Sequence, residues 1–249
     1  MAGHSHWAQI KRKKAVVDAK RGKAFAKLIR GIEVAARDAG TSNPENNMTL
    51  AAAVERAKEG SVPADTIERA AKRGAGELDE GVVYERVVYE GYGPGGVALL
   101  VETLTENRNR TGSEVRAVFA RGGGSLGEPG SVAWMFERKG IVIVASHVGE
   151  DDVLMAAADA GADDVTRHPD RWEIVCEMQD FAAVRQAVVD AGLPVESADL
   201  TMIPSTTVPL DVEAARKVLR LMDALEDLDD VQNVFPNFDV PEEAFAEVG

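Results

Sequence analysis

Four places in this 249-residue sequence put side chains at spacings that chemistry uses, and each can be judged by the elements around it. Gly91-x-Gly93-x-x-Gly96 has the spacing of a dinucleotide loop. That chemistry needs a helix N-terminus directly after the glycines, to hold a pyrophosphate. The run VALLV at 97–101 follows instead and reads as a strand, so the glycines read as a hairpin turn. Gly123-x-Ser125-x-Gly127 has the spacing of a nucleophile elbow, which requires a strand before the serine and a helix after it. Here a helical stretch precedes, Glu128-Pro129-Gly130 follows, and only His147 and His168 lie downstream as bases. His4 and His6 offer two imidazoles with no third ligand in view, a weak metal site. Asp223, Glu226, Asp227, Asp229 and Asp230 lack the glycine and spacing of a calcium loop and read as a solvated helix face. The sequence therefore gives no catalytic residue, metal site, cofactor or small-molecule substrate, and the chain reads as a non-enzyme.

The pattern that does carry chemistry is basic. The first 40 residues hold ten Lys or Arg and three Asp or Glu, whereas residues 81–249 hold 13 bases and 31 acids. The whole chain has a formal net charge of −14, so the basic arm is a local reversal. It reads Lys11-Arg12-Lys13-Lys14, then Lys20-Arg21-x-Lys23, with Trp7 just upstream. Such a cluster suits a polyanion, because neutralising phosphates releases counterions and binds without regard to sequence. The acidic remainder repels the same partner and confines contact to one end. Asn107-Arg108-Asn109-Arg110-Thr111 is a second candidate, two arginines beside a helix start, or simply capping and surface charge.

The elements that must position these residues follow from periodicity. Residues 23–39 carry Phe25, Leu28, Ile29, Ile32 and Ala36 on one helical face. Lys23, Lys27, Arg30 and Arg37 form a stripe opposite it, and Gly40 closes the helix. A second helix is expected over 46–58, with Leu50, Val54 and Ala57 inward, and a third opens at Pro63 and ends at Gly74. From residue 82 the period changes to 2. Strands are expected at 83–90 and 97–105, then a helix opened by a Thr111/Glu114 capping box and running to Arg121, then a strand at 131–137. Residues 140–203 read as strand, helix, hairpin, helix and strand, the βαββαβ order of a ferredoxin-like domain. Asp180 is read there as the cap of the second helix. A long helix at 211–230 and a short strand near 233–240 are left to complete the sheet begun at 82.

The expected architecture is α+β. A basic helical domain (1–80) precedes two α/β domains, a discontinuous one (81–137 plus 205–249) and a ferredoxin-like one (138–204). At this length the chain buries most of its unfolded surface without staples. The lone Cys176 precludes an internal disulfide and fits a reducing cytoplasm. The N-terminus has no apolar signal region and the longest apolar run is far too short to span a bilayer, so no membrane is expected.

Several stretches together resemble the YebC/PmpR family: AGHSHWAQIKRKK at 2–14, RGKAFAKLI at 21–29, NPENN at 43–47, YEGYGPGGV at 89–97, NRNRT at 107–111 and GSVAWMFE at 130–137. They run in order through nearly the whole chain. The chain departs from the family's usual residues at Ser61-Val62 (commonly Asn-Met), at Gly31 (commonly acidic) and at Trp134 (commonly Tyr). The resemblance implies three domains, the middle one completed by the C-terminal segment, and a DNA-binding transcriptional regulator. It also leaves open a translational activator acting on ribosomal RNA or the ribosome. Lys11, Arg12, Lys13, Lys14, Lys20, Arg21 and Lys23 are the expected phosphate contacts, and Lys27 and Arg30 are expected to extend them. Trp7, Arg108 and Arg110 are secondary candidates.

Overall fold

The computed structural model describes residues 18–78 and 83–239. Helix α1 (Asp18–Ala39), helix α2 (Met48–Glu59) and helix α3 (Ala64–Gly74) pack around Ile32, Ala35, Ala36, Leu50, Val54, Ala57, Val62, Ile67, Ala70 and Ala71. The helix ends explain why these segments stop where they do. Gly40 takes φ +64°, and Thr41 N–H donates to the Ala36 carbonyl at 3.2 Å, which closes α1. Asn47 caps α2, accepting from the N–H groups of Thr49 and Leu50. The C-terminus of α2 closes in the same way, but the left-handed residue is Ser61, at φ +59°, not the preceding glycine. Val62 N–H then donates to the Ala57 carbonyl at 3.0 Å and buries its side chain. Gly74 lets α3 lie tight against α1, where a Cβ would fall 2.2 Å from the Glu33 carbonyl oxygen.

The middle domain is a sheet with two helices on one face. Strands β1 (Glu85–Tyr92), β2 (Ala98–Thr105), β3 (Ser125–Leu126) and β9 (Val231–Pro236) lie in the order β3-β1-β2-β9. All these pairings are antiparallel, and Leu99 faces Pro236 across β2 and β9. The C-terminal segment thus completes this sheet, as the leftover elements suggested. Helices α4 (Arg108–Arg121) and α7 (Val212–Glu226) supply Val115, Val118, Phe119, Ala215, Val218, Leu219, Leu221, Met222 and Leu225 to a core shared with Leu99, Val101 and Val234. A short parallel pair, β8 (Val208–Pro209) with β10 (Phe238–Asp239), ties the two ends of the returning segment together.

Two sequence expectations fail here. The helix after β2 opens at Arg108 and is capped by Asn107, whose side chain accepts from Arg110 N–H, so Thr111/Glu114 is not a capping box. Thr111 is already inside the helix and buried, which frees its hydroxyl for a tertiary role. The strand expected at 131–137 is instead a loop and a short 3-10 turn, with the next strand starting at Phe136. That loop is held by Glu90. Its buried carboxylate accepts from the N–H groups of Gly130, Val132 and Ala133 at 2.6, 2.7 and 2.7 Å. Burial alone would raise the Glu90 pKa, but the three backbone donors outweigh it and hold the group below its ordinary value.

Residues Trp134–Thr207 form a second compact unit. It contains β4 (Phe136–Ala145), α5 (Glu150–Ala158), β5 (Ala162–Arg167), β6 (Arg171–Glu177), α6 (Phe181–Asp190) and β7 (Val195–Pro204). Its antiparallel sheet has the order β5-β6-β4-β7, the ferredoxin-like arrangement. Both helices cover one face through Val153, Ala157, Phe181, Val184 and Val188 against Val142, Val144, Trp172, Ile174 and Cys176. Asp180 stands at the start of α6 without making a side-chain capping bond.

Candidate nucleic-acid interface

The glycine motifs resolve as turns. Gly91–Gly96 spans the β1–β2 hairpin, with Gly95 and Gly96 at positive φ. Ser125 sits in β3, preceded by α4 and paired with Tyr92, the reverse of the order a nucleophile elbow requires. The Cys176 thiol is buried in the core and pushed up to about 11, chiefly by desolvation, which disfavours its thiolate. Among the described residues no group of three His, Cys, Asp or Glu side chains is placed to hold a metal ion. Among them, too, no helix is long and apolar enough to cross a membrane. His4, His6, Trp7, Lys11, Arg12, Lys13 and Lys14 lie outside the described residues. Lys20 and Arg21 fall in the first turns of α1.

Of the remaining expected cations, Lys23, Lys27, Arg30 and Arg110 converge on one place. The stripe Lys23, Lys27 and Arg30 lies off the apolar face of α1, as its spacing requires, but it meets the C-terminal end of α7. Lys23 Nζ is 3.2 Å from Asp229 Oδ1 and donates to the Asp227 carbonyl at 3.4 Å. Lys27 donates to the Glu226 carbonyl. Arg30 donates to the Asp229 carbonyl at 2.8 Å and to Asp230 Oδ1 at 2.9 Å, and its guanidinium stacks 5.0 Å from the Tyr84 ring centroid. Helix C-termini attract cations because their last carbonyls lack intrahelical partners and carry the negative end of the macrodipole.

Asp230 is the hub. Its side chain is 3% exposed and accepts from Arg30, from Arg110 at 2.9 Å and from the Thr111 hydroxyl at 2.6 Å. The Thr111 oxygen is also 2.7 Å from the Thr105 hydroxyl. Burial alone would raise the Asp230 pKa, but Thr111, Arg110 and Arg30 together hold it below the ordinary carboxylate value. The expectation of a solvated acidic face over 223–230 is therefore corrected at Asp230, which is a buried ion-pair centre. Arg110 is also shared with Glu106 at 3.5 Å, whereas Arg108 is largely exposed, 3.7 Å from Glu85. Sequence reasoning missed Asp230 because nothing in an acid-rich stretch separates a buried acid from an exposed one, and missed Thr105 and Glu90 because their partners lie in a helix and a loop later in the chain. The only local signal was Val231-x-x-Val234 immediately after Asp230, which anchors that end in the core.

These features define a class: a basic N-terminal three-helix domain joined to an acidic α+β body, with no catalytic constellation among the described residues. Comparison with known proteins places it further. A family model described as the TACO1/YebC protein N-terminal domain matches residues 5–77, and one for the TACO1/YebC second and third domain matches residues 84–238. A "Probable transcriptional regulatory protein" of Thermobifida fusca is 57% identical over the whole of both chains. One from Mycobacterium sp. (strain KMS) is 54% identical over all of this chain and 99% of its own. The crystal structure of a conserved hypothetical protein from Aquifex aeolicus superposes with a TM-score of 0.84 at 49% identity, covering 97% of this chain and 100% of that one. The chain belongs to the TACO1/YebC family.

Proposed function

We propose that this protein is a non-enzymatic, nucleic-acid-binding regulator of gene expression, acting as a DNA-binding transcriptional regulator in the cytoplasm. The observation that carries the reading is the charge reversal, ten bases against three acids in the first 40 residues of a chain at −14. Lys11, Arg12, Lys13, Lys14, Lys20, Arg21 and Lys23 contact phosphates, and Lys27 extends that surface, whereas Arg30 is committed to Asp230 and is withdrawn from it. The names of the relatives support the regulatory role.

A second reading, a translation factor bound to ribosomal RNA, is favoured by the kind of cation the arm carries. Eight of the ten lysines lie in the first 72 residues, and the α1 stripe offers Lys and Arg alone. Point charges of that sort suit phosphates, whereas a duplex reader places Arg, Asn or Gln against base edges in the major groove. The deciding experiment is competition of a labelled duplex by scrambled DNA and by ribosomal RNA at physiological salt. Transcription requires a preference for one promoter sequence of about a thousandfold or more. Equal competition by scrambled DNA, with ribosomal RNA at least as effective, would reject it in favour of translation. No salt-dependent binding to any of these would reject both.

A further inference from the structure

We propose that the junction at residues 226–230 is an internal stand-in for the polyanion. It latches Lys23 and Lys27 of α1, and nucleic acid is held at full strength only when these cations leave it. This rests on the nucleic-acid reading above and adds a regulatory step to the same surface.

Three observations carry it. First, the junction offers α1 the chemistry a phosphate backbone would offer. The carbonyls of Glu226, Asp227 and Asp229 and the carboxylates of Asp229 and Asp230 are all anionic or partly anionic oxygens, and each takes a donor from Lys23, Lys27 or Arg30. Donors given to these oxygens are withdrawn from a phosphate, and the carboxylates beside them repel it. Occupation by the junction and by the ligand are therefore competing states, and the ligand must supply the difference.

Second, the contact is graded from fixed to exchangeable. Arg30 and Asp230 are 18% and 3% exposed, a buried pair further tied to Arg110 and Thr111. Lys23 and Asp229 are 58% and 68% exposed, a surface pair of the kind that contributes little and exchanges readily. They flank a groove of about 220 Å³ lined by Gly22, Lys23, Ala26, Arg30 and Asp229.

Third, the helical bundle and the middle domain have separate apolar cores, Ile32-to-Ala71 on one side and Val97-to-Phe238 on the other. Polar contacts join α1 to the middle domain: the junction bonds, Arg30 over Tyr84, and Arg37 donating to the Tyr84 carbonyl. Charged contacts weaken with salt and yield to a stronger anion, whereas a fused core would not.

The test holds charge constant and changes only the freedom to move. Ala26→Cys with Asp227→Cys puts one thiol on exposed α1 and one on the junction while keeping every latch acceptor, since only the Asp227 carbonyl serves Lys23, and buried Cys176 stays unlabelled in the folded protein. The doubly substituted full-length chain is either bridged with a short thiol-cleavable bis-maleimide or capped with N-ethylmaleimide. Both forms are titrated with a duplex DNA and with a stem-loop RNA across a salt series. If Lys23 and Lys27 are withheld by the bridge, two phosphate contacts vanish, and the log K against log salt slope becomes shallower by about 1.8. Referred to 1 M salt, where counterion release contributes nothing, that slope corresponds to about 30-fold weaker binding at about 150 mM salt. Cleaving the bridge should restore the capped protein's affinity. Equal affinity and equal slope for the two forms would overturn the latch and leave the nucleic-acid reading standing. Absence of binding by both forms would overturn the two together.

Discussion

Asp230→Ala tests the hub on which the α1–body contact depends. The substitution removes the acceptor of three donors. The Thr111 hydroxyl is buried, and Arg30 is mostly buried, so neither recovers full hydration. Arg30 keeps the Asp229 carbonyl and the Tyr84 ring, and Arg110 is 44% exposed and keeps Glu106, so both losses are partly offset. Breaking a buried pair by removing one partner costs about 3–5 kcal/mol, and those offsets put this case near about 3 kcal/mol. For a protein of this size that is a fall in melting temperature of about 6–12 °C. Asp230→Asn should cost less, about 2 kcal/mol, because the amide oxygen in the Oδ2 position still accepts from Thr111 and Arg110 while its NH₂ faces Arg30. The sign with pH follows from the depressed pKa. The carboxylate's contribution is fully present above the unfolded value of about 3.9 and is lost as pH falls through the lower folded value. The gap between wild type and Asp230→Asn should therefore be widest near neutrality and narrow below about pH 4. Calorimetry measures it. A melting temperature within a degree or so of wild type, or a gap that does not shrink in acid, would refute the reasoning.

Three further outcomes are expected. Glu90→Gln leaves one of its backbone donors facing an NH₂ group and should destabilise the protein by about 2 kcal/mol, an effect that fades in acid because the Glu90 pKa is also lowered; denaturant titration at two pH values checks both parts. Ser61→Asn should raise stability by about 0.5–1 kcal/mol, since asparagine tolerates the left-handed region in which Ser61 sits at φ +59°. An unchanged or lowered melting temperature would count against that. Replacing Lys11, Arg12, Lys13 and Lys14 by alanine should remove most nucleic-acid affinity and make the salt slope shallower by about 3.6, with the melting temperature nearly unmoved. A large stability loss would show instead that these residues are part of packed structure.

The elements of this fold were legible in the chain because their cores are periodic. Leu50, Val54 and Ala57 recur at helical spacing and are the buried residues of α2; the strand-helix-hairpin-helix-strand rhythm after Gly140 is the ferredoxin-like sheet. The pairing of β9 with β2 could be suspected from leftover elements, since a short apolar strand needs a neighbour. Legibility ended at the helix starts and at the charges. Asn107 and Thr111 are both good capping residues, and the choice of Asn107 as cap is coupled to Thr111 donating to Asp230, 119 positions away. Likewise the α1 stripe is the same in sequence whether it meets water, phosphate or a helix end. Periodicity fixes which face of a helix is polar, because that is a property of 3.6 residues per turn. What the polar face touches depends on contacts between segments some 200 residues apart, and only the tertiary structure, by bringing the end of α7 against α1, decided that Lys27 and Arg30 have partners within the chain itself.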